Sequence, residues 1–151
     1  MANAYSHLLV HFVFASKKGS PEIDESWSNM LSRQIKAICS TYRCTVVEVS
    51  CVSDHVHLLI ELAPTIGCAE LMKYVKGFSS LWVTKSNLFN TKFEWERGYL
   101  AIALPNSLRD ETVQFINNQK EFHENTTFKE EQNTLLTENG VPFSSVYLMR
   151  N

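Results

Sequence analysis

The stretch Cys44-Thr45-Val46-Val47-Glu48-Val49-Ser50-Cys51-Val52-Ser53-Asp54-His55-Val56-His57-Leu58-Leu59-Ile60-Glu61-Leu62 decides how this chain folds. Cys44 to Ser53 is rich in β-branched residues, Asp54 marks a tight turn, and His55 to Leu62 resumes as a further strand. On a strand, side chains two apart share a face. Val56, Leu58, Ile60 and Leu62 therefore form an apolar side, while His55, His57, Leu59 and Glu61 form the other. One face suits a core, and the other carries two imidazoles side by side.

Upstream, Tyr5 to Phe14 alternates as a first strand, with Leu8, Val10, Phe12 and Phe14 opposed to His7, Leu9, His11 and Val13. Ser16-Lys17-Lys18-Gly19-Ser20-Pro21 ends it with turn residues and positive charge. Asp24 to Thr41 reads as a helix through Trp27, Met30, Leu31, Ile35 and Ile38. Downstream, Pro64 and Gly67 punctuate, and Ala69 to about Ser86 forms a second helix through Leu71, Val75, Phe78, Leu81 and Trp82. Leu100 to Leu104 is a fourth strand stopped by Pro105. A third helix, capped by Asn106 or Ser107, runs to about His123, with Asp110 and Glu111 where the helix dipole favours them. A short acidic helix, Phe128 to Glu138, halts at Gly140, and Val141 to Asn151 reads as an extended surface tail. The order strand, helix, strand, strand, helix, strand is that of the α+β ferredoxin-like split βαβ sandwich, a four-stranded antiparallel sheet with two helices on one face. The additional C-terminal helix is left for the other face. No repeat, linker or low-complexity tract intervenes, so residues 1–151 are read as one domain.

Composition narrows the function classes. The 151 residues are 44% hydrophobic and 20% charged, enough for a real core. With 14 basic and 16 acidic residues the chain is no polybasic binder. Its first 109 residues carry a net +2 and the remainder a net −4. No apolar run approaches the ~18 residues of a membrane helix. Met1 to His7 lacks the basic start and cleavage site of a signal peptide, so a cytoplasmic location is expected. Cys39, Cys44, Cys51 and Cys68 show no CxxC spacing and are expected to be reduced. The five glycines form neither a Walker loop nor GxGxxG.

His55-Val56-His57 presents its imidazoles together, as a metal or phosphate site requires, although two half-exposed histidines would look the same. The block Val47 to Ile60 resembles the centre of the HUH nucleases, where a hydrophobic residue separates two metal-binding histidines. More narrowly, the chain resembles the small single-domain HUH tyrosine transposases of insertion sequences that move as single-stranded DNA. His11-Phe12-Val13-Phe14-Ala15-Ser16-Lys17 is similar to their first strand and basic turn. Phe93-Glu94-Trp95-Glu96-Arg97-Gly98-Tyr99 is similar to their aromatic-glycine segment, and Val113 to His123 to their catalytic helix.

That resemblance implies strand transfer on single-stranded or hairpin DNA, in which a helical tyrosine attacks a phosphate and forms a phosphotyrosyl link. It implies a divalent metal, magnesium or manganese, that polarises the phosphate. It also implies a homodimer with composite sites, the helix of one subunit serving the histidines of the other, in nucleoid-associated use. His55 and His57 match the metal pair, and Gln119 the polar third ligand. The nucleophile position, one helical turn before Gln119, is Phe115. Phenylalanine keeps the ring and loses the oxygen, so no phosphotyrosyl bond forms there and the chain is read as cleavage-inactive. Phe115 reflects an introduced Tyr→Phe replacement, a natural loss, or a nucleophile elsewhere. None of Tyr5, Tyr42, Tyr74, Tyr99 and Tyr147 has a glutamine four residues on, and Tyr74, between Lys73 and Lys76, is the nearest substitute. Phe115 also belongs to a helical stripe with Leu108, Thr112, Gln119 and Phe122 and can serve packing.

Two other functions compete with a transposase: a domesticated, catalytically dead DNA-binding regulator, and an unrelated HxH metal-binding module. His11, Glu61 and His123 are candidates to support the metal ligands. Lys17, Lys18, Lys73, Lys76, Lys85 and Arg97 are candidate phosphate contacts. Trp95, with Phe93 and Tyr99, is placed to stack on bases or to pack. Two imidazoles and one amide carry no negative charge, so metal is expected to bind weakly until a DNA phosphate joins it.

Overall fold

A computed structural model describes residues 4–151; residues 1–3, the start of the N-terminal stretch read above, lie outside it. The chain runs β1 (Leu9–Ala15), α1 (Ser28–Thr41), β2 (Thr45–Cys51), β3 (His55–Glu61), α2 (Cys68–Lys85) and β4 (Leu100–Leu104). After a 3-10 turn at Asn106–Leu108 come α3 (Arg109–Asn117), α4 (Gln119–Phe122) and α5 (Phe128–Glu138). The four strands form one antiparallel sheet in the order β2-β3-β1-β4, the ferredoxin-like order. β1 and β3 are central, with His57 opposite Val13 and Leu59 opposite His11.

Strand alternation sets the two faces. Phe12, Phe14, Val56, Leu58 and Ile60 point to the helical layer and are fully buried against Leu31 and Ile35 of α1 and Leu71 and Val75 of α2. Each such side chain contributes about 1.5–3 kcal/mol through burial. Trp27 fills the end of this layer, edge-on to Phe89 and Phe93. The α2 stripe differs from the expected one: Leu71, Met72, Val75, Ser79 and Val83 face inward, while Phe78 and Leu81 are exposed. Ser79 is tolerated because its hydroxyl accepts from Trp95 Nε1 at 2.8 Å. The first strand and first helix start later than their patterns suggested. Residues 24–27 form a turn in which the Asp24 carbonyl accepts from the Trp27 and Ser28 amides.

The second face is covered too. α3 packs Ile116 on Leu9 and Leu59. α5 and the chain end pack Leu136, Leu148 and Met149 on Val13, Ala15 and Leu100. Two expectations need correction here. The single third helix is broken at Asn118 (φ −98°, ψ 20°), where the adjacent asparagines Asn117 and Asn118 are poor helix formers. The tail follows the surface as expected only through residues 141–147, which are exposed. Leu148 and Met149 are buried, and Gln132 of α5 pairs both backbone groups of Met149, accepting from its amide at 2.8 Å and donating to its carbonyl at 3.0 Å. No helix among the described residues is long and apolar enough to cross a membrane.

Candidate metal centre and basic groove

β3 projects His55 and His57 from the face opposite α1 and α2, and three later segments converge on them. The break at Asn118 turns Gln119 inward, so that its Oε1 lies 3.1 Å from His55 Nε2. α4 ends at His123, whose Nδ1 donates to the Thr126 carbonyl at 2.7 Å and whose Nε2 lies 2.9 Å from Gln119 Oε1. α5 delivers Glu131. Its Oε1 is 2.8 Å from His57 Nε2 and 3.3 Å from His55 Nε2, and its Oε2 accepts from Gln119 Nε2 at 2.8 Å. His55, His57, Gln119 and Glu131 are all at most 1% exposed.

The outer nitrogens are anchored as well. His55 Nδ1 donates to Asp54 Oδ1 at 2.7 Å, and Arg150 Nε balances that carboxylate at 3.4 Å. His57 Nδ1 lies 2.8 Å from Nε2 of His11, which stands on the same face of β1 two residues along from Val13, the residue opposite His57. Phe128 stacks on His55 with ring centroids 3.9 Å apart. Each anchored ring turns its Nε2 toward one point, the arrangement that fixes metal-ligating histidines.

Electrostatics follow burial and pairing. Burial alone would raise the Glu131 carboxyl, but hydrogen bonds from His55 and His57 outweigh it and hold it well below the usual carboxylate range. Burial opposes charge on His55 too, yet its bonds to Asp54 and Glu131 leave it raised above an ordinary histidine. Burial lowers His57, and it pushes His11 down to about 3 with help from His57.

The donor set fits a divalent cation. The Nδ1 protons of His55 and His123 are committed to Asp54 and Thr126, so their Nε2 atoms face the oxygens of Gln119 and Glu131, which are acceptors there. Such a convergence needs protons or a cation at its centre. Two imidazole nitrogens, a carboxylate and an amide oxygen suit manganese or zinc better than magnesium. Ligand atoms of His55, His57 and Glu131 all lie within 4.8 Å of one another.

Phe115, on α3, stands beside this centre. Its ring is edge-on to His57 with centroids 5.5 Å apart, and it lines a cleft of about 520 Å³ with His11 and Glu131. Tyr74 is far from it in the fold: it sits on α2 in the opposite layer, stacked on Tyr42 at 4.2 Å and bonded to Glu70. Within one chain, that placement keeps the Tyr74 hydroxyl away from the histidines.

Against the family, residues 4–119 match the model described as "Transposase IS200 like". The chain belongs to the IS200-like transposase family. It is 30% identical over 95 residues to the IS200 transposases of Salmonella typhimurium and Salmonella typhi. That alignment takes in 59% of this chain and spans 62% of those curated relatives' length. Two solved structures share the fold. One, from Deinococcus radiodurans R1 and described as a transposase, has a TM-score of 0.62 at 19% identity, covering 79% of this chain and 95% of that one. The other is a REP-associated tyrosine transposase bound to a REP hairpin, with a TM-score of 0.60 at 12% identity, covering 82% and 74%.

In this IS200-like chain the remaining site candidates divide. His11 and His123 join the centre. Glu61 does not: it is four residues, roughly 13 Å of strand, beyond His57, and it pairs with Arg109 at the sheet's end. Lys17, Lys18, Lys76, Trp95 and Arg97 line one open groove of about 1100 Å³, joined by Lys92 and Arg150. Lys73 is exposed outside it. Within the groove Lys76 is tethered to the Glu96 and Gly98 carbonyls. Trp95 is wedged edge-on to Phe14 and Phe93, so packing claims most of its ring, and Phe93 is a core residue.

Glu131 is the residue that sequence reasoning missed. Its signal was present: Thr127 and Glu130 form a capping box that fixes the start and phase of α5. That phase puts Glu131 on the same stripe as Phe128 and Leu135, a carboxylate among apolar neighbours.

Proposed function

We propose that this chain binds single-stranded or hairpin DNA ends through the basic groove and the clefts flanking the histidine centre, and that it does not cleave them. The reading rests on one observation above all: the residue beside His57 at the nucleophile position is Phe115, a ring without an oxygen. His55, His57 and Gln119 are the proposed ligands of a divalent cation, manganese or magnesium, which when bound would supply charge to a phosphate oxygen. The chain's own groups do the rest. Lys18 and Arg97 neutralise phosphates, Lys17 and Lys92 do so by exchanging their present pairing with Glu94, and Arg150 links the groove to Asp54 and so to His55. Residues 1–151 act as one domain in this proposal, and a homodimer remains part of it. Exchange of the catalytic helix is not required, since Gln119 meets His55 of its own chain.

A labelled oligonucleotide carrying an element end, incubated with manganese, tests the proposal. The chain is expected to bind it without forming a protein-linked adduct, and Phe115→Tyr to form one, because the added hydroxyl enters the cleft that His11 and Glu131 line. An adduct with Phe115 in place would refute the assignment of the nucleophile position. A Phe115→Tyr variant that binds but stays inert favours the second reading, a domesticated DNA-binding regulator whose centre is closed by α5.

A further inference from the structure

We propose that Glu131 is the anionic ligand of the cation centre, and that cation binding fastens α5 and the C-terminal tail over the sheet without any DNA. The inference rests on the proposed cation site at His55 and His57 but assigns it a different third partner and a consequence. Glu131 lies outside residues 4–119, the part that matches the family. Its Oε1 stands within 3.3 Å of both Nε2 atoms and so bridges the pair, whereas the amide oxygen of Gln119 meets His55 and His123 but not His57. With a carboxylate present, the ligand set is no longer neutral, and the expectation that metal waits for a phosphate loses its basis.

The same geometry ties the cation to a segment of chain. Glu131 is followed by Gln132, which holds both backbone groups of Met149, and Arg150 reaches back to Asp54 behind His55. Residues 128–150 thus close a loop that begins and ends at one histidine: Phe128 stacks on His55, and Arg150 pairs with its carboxylate anchor. A cation joining β3 to α5 would stabilise the docked segment as a whole, because metal-binding energy adds to the stability of whatever its ligands must hold in place.

The test uses the full chain, manganese or zinc ions alone, and hydrogen exchange. The cation is expected to bind one-to-one in calorimetry without DNA and to slow exchange across residues 128–150. Glu131→Gln, which keeps the shape, should weaken binding roughly 10-fold or more and remove the added protection, whereas Lys129→Gln on the exposed side of α5 should change neither. Equal affinity in Glu131→Gln, or binding that leaves residues 128–150 exchanging as before, would overturn the inference. If the cation binds only once a hairpin oligonucleotide is added, the inference fails while the proposed function stands. If His57→Ala binds cation and hairpin as the unaltered chain does, both fail.

Discussion

Gln132→Ala should release the C-terminal tail. The Gln132 side chain is fully buried and makes two bonds to the backbone of Met149, at 2.8 and 3.0 Å, with a further bond of 3.4 Å to the Phe128 carbonyl. Truncation leaves a buried amide and a buried carbonyl of Met149 without partners, at about 1–3 kcal/mol each. The loss has a ceiling, because the tail can undock. Docking buries Leu148 and Met149, about 1.5–3 kcal/mol apiece, against ordering costs of about 1–2 kcal/mol for each residue fixed. The tail therefore holds only a few kcal/mol of its own, and losing about 2–3 kcal/mol is enough to free it. The assay is amide exchange at Met149 and Arg150 beside a urea titration. Protection at both amides should collapse while β1 and β3, buried on both faces, keep theirs. Unchanged protection at Met149, with global stability within about 0.5 kcal/mol of the parent, would refute the claim that Gln132 holds the tail.

Acid should destabilise the metal-free protein earlier than its carboxylates explain. His11 is held at about 3 when folded and titrates near 6.5 when unfolded, so below pH 6.5 the unfolded chain binds the extra proton. Stability should fall by about 1.4 kcal/mol per pH unit on this account between pH 6.5 and about 3, with the lowered His57 adding to the slope. The raised His55 acts oppositely, losing its contribution as pH climbs above 6.5, so stability in chelator should peak near neutrality. Urea midpoints from pH 4 to 8 would show it, and a flat profile from 6.5 to 4 would contradict the buried neutral His11. Burial pushes the thiols of Cys39 and Cys51 up to about 12, so native protein at pH 8 should leave both unlabelled by iodoacetamide while denatured protein labels all four free cysteines. Rapid native labelling of Cys51 would mean that its contact with Ser32 is open.

Much of this protein was legible in its sequence because the relevant rules are local. Alternation along Leu9–Ala15 and His55–Glu61 is backbone geometry, so it set which side chains enter the helical core and put His55 and His57 on the opposite face together. The element order then left the ferredoxin-like sheet as the arrangement that pairs those strands, whereas the proposed role of Phe115 came from the resemblance to the HUH tyrosine transposases and not from any periodicity, since the helix breaks between Phe115 and Gln119. The tertiary structure decided what surrounds the pair. Glu131 meets His57 across 74 residues of chain, and Arg150 lies 96 residues beyond Asp54; no periodicity connects positions so far apart. The break at Asn118 and the inward stripe of α2 were likewise settled by packing, since amphipathic spacing gives a helix a face but not the exact angle at which it meets a sheet. A carboxylate among apolar residues on α5 is costly to bury alone. Only the histidines of β3 and the amide of Gln119 make its position favourable, and those partners come from other parts of the chain.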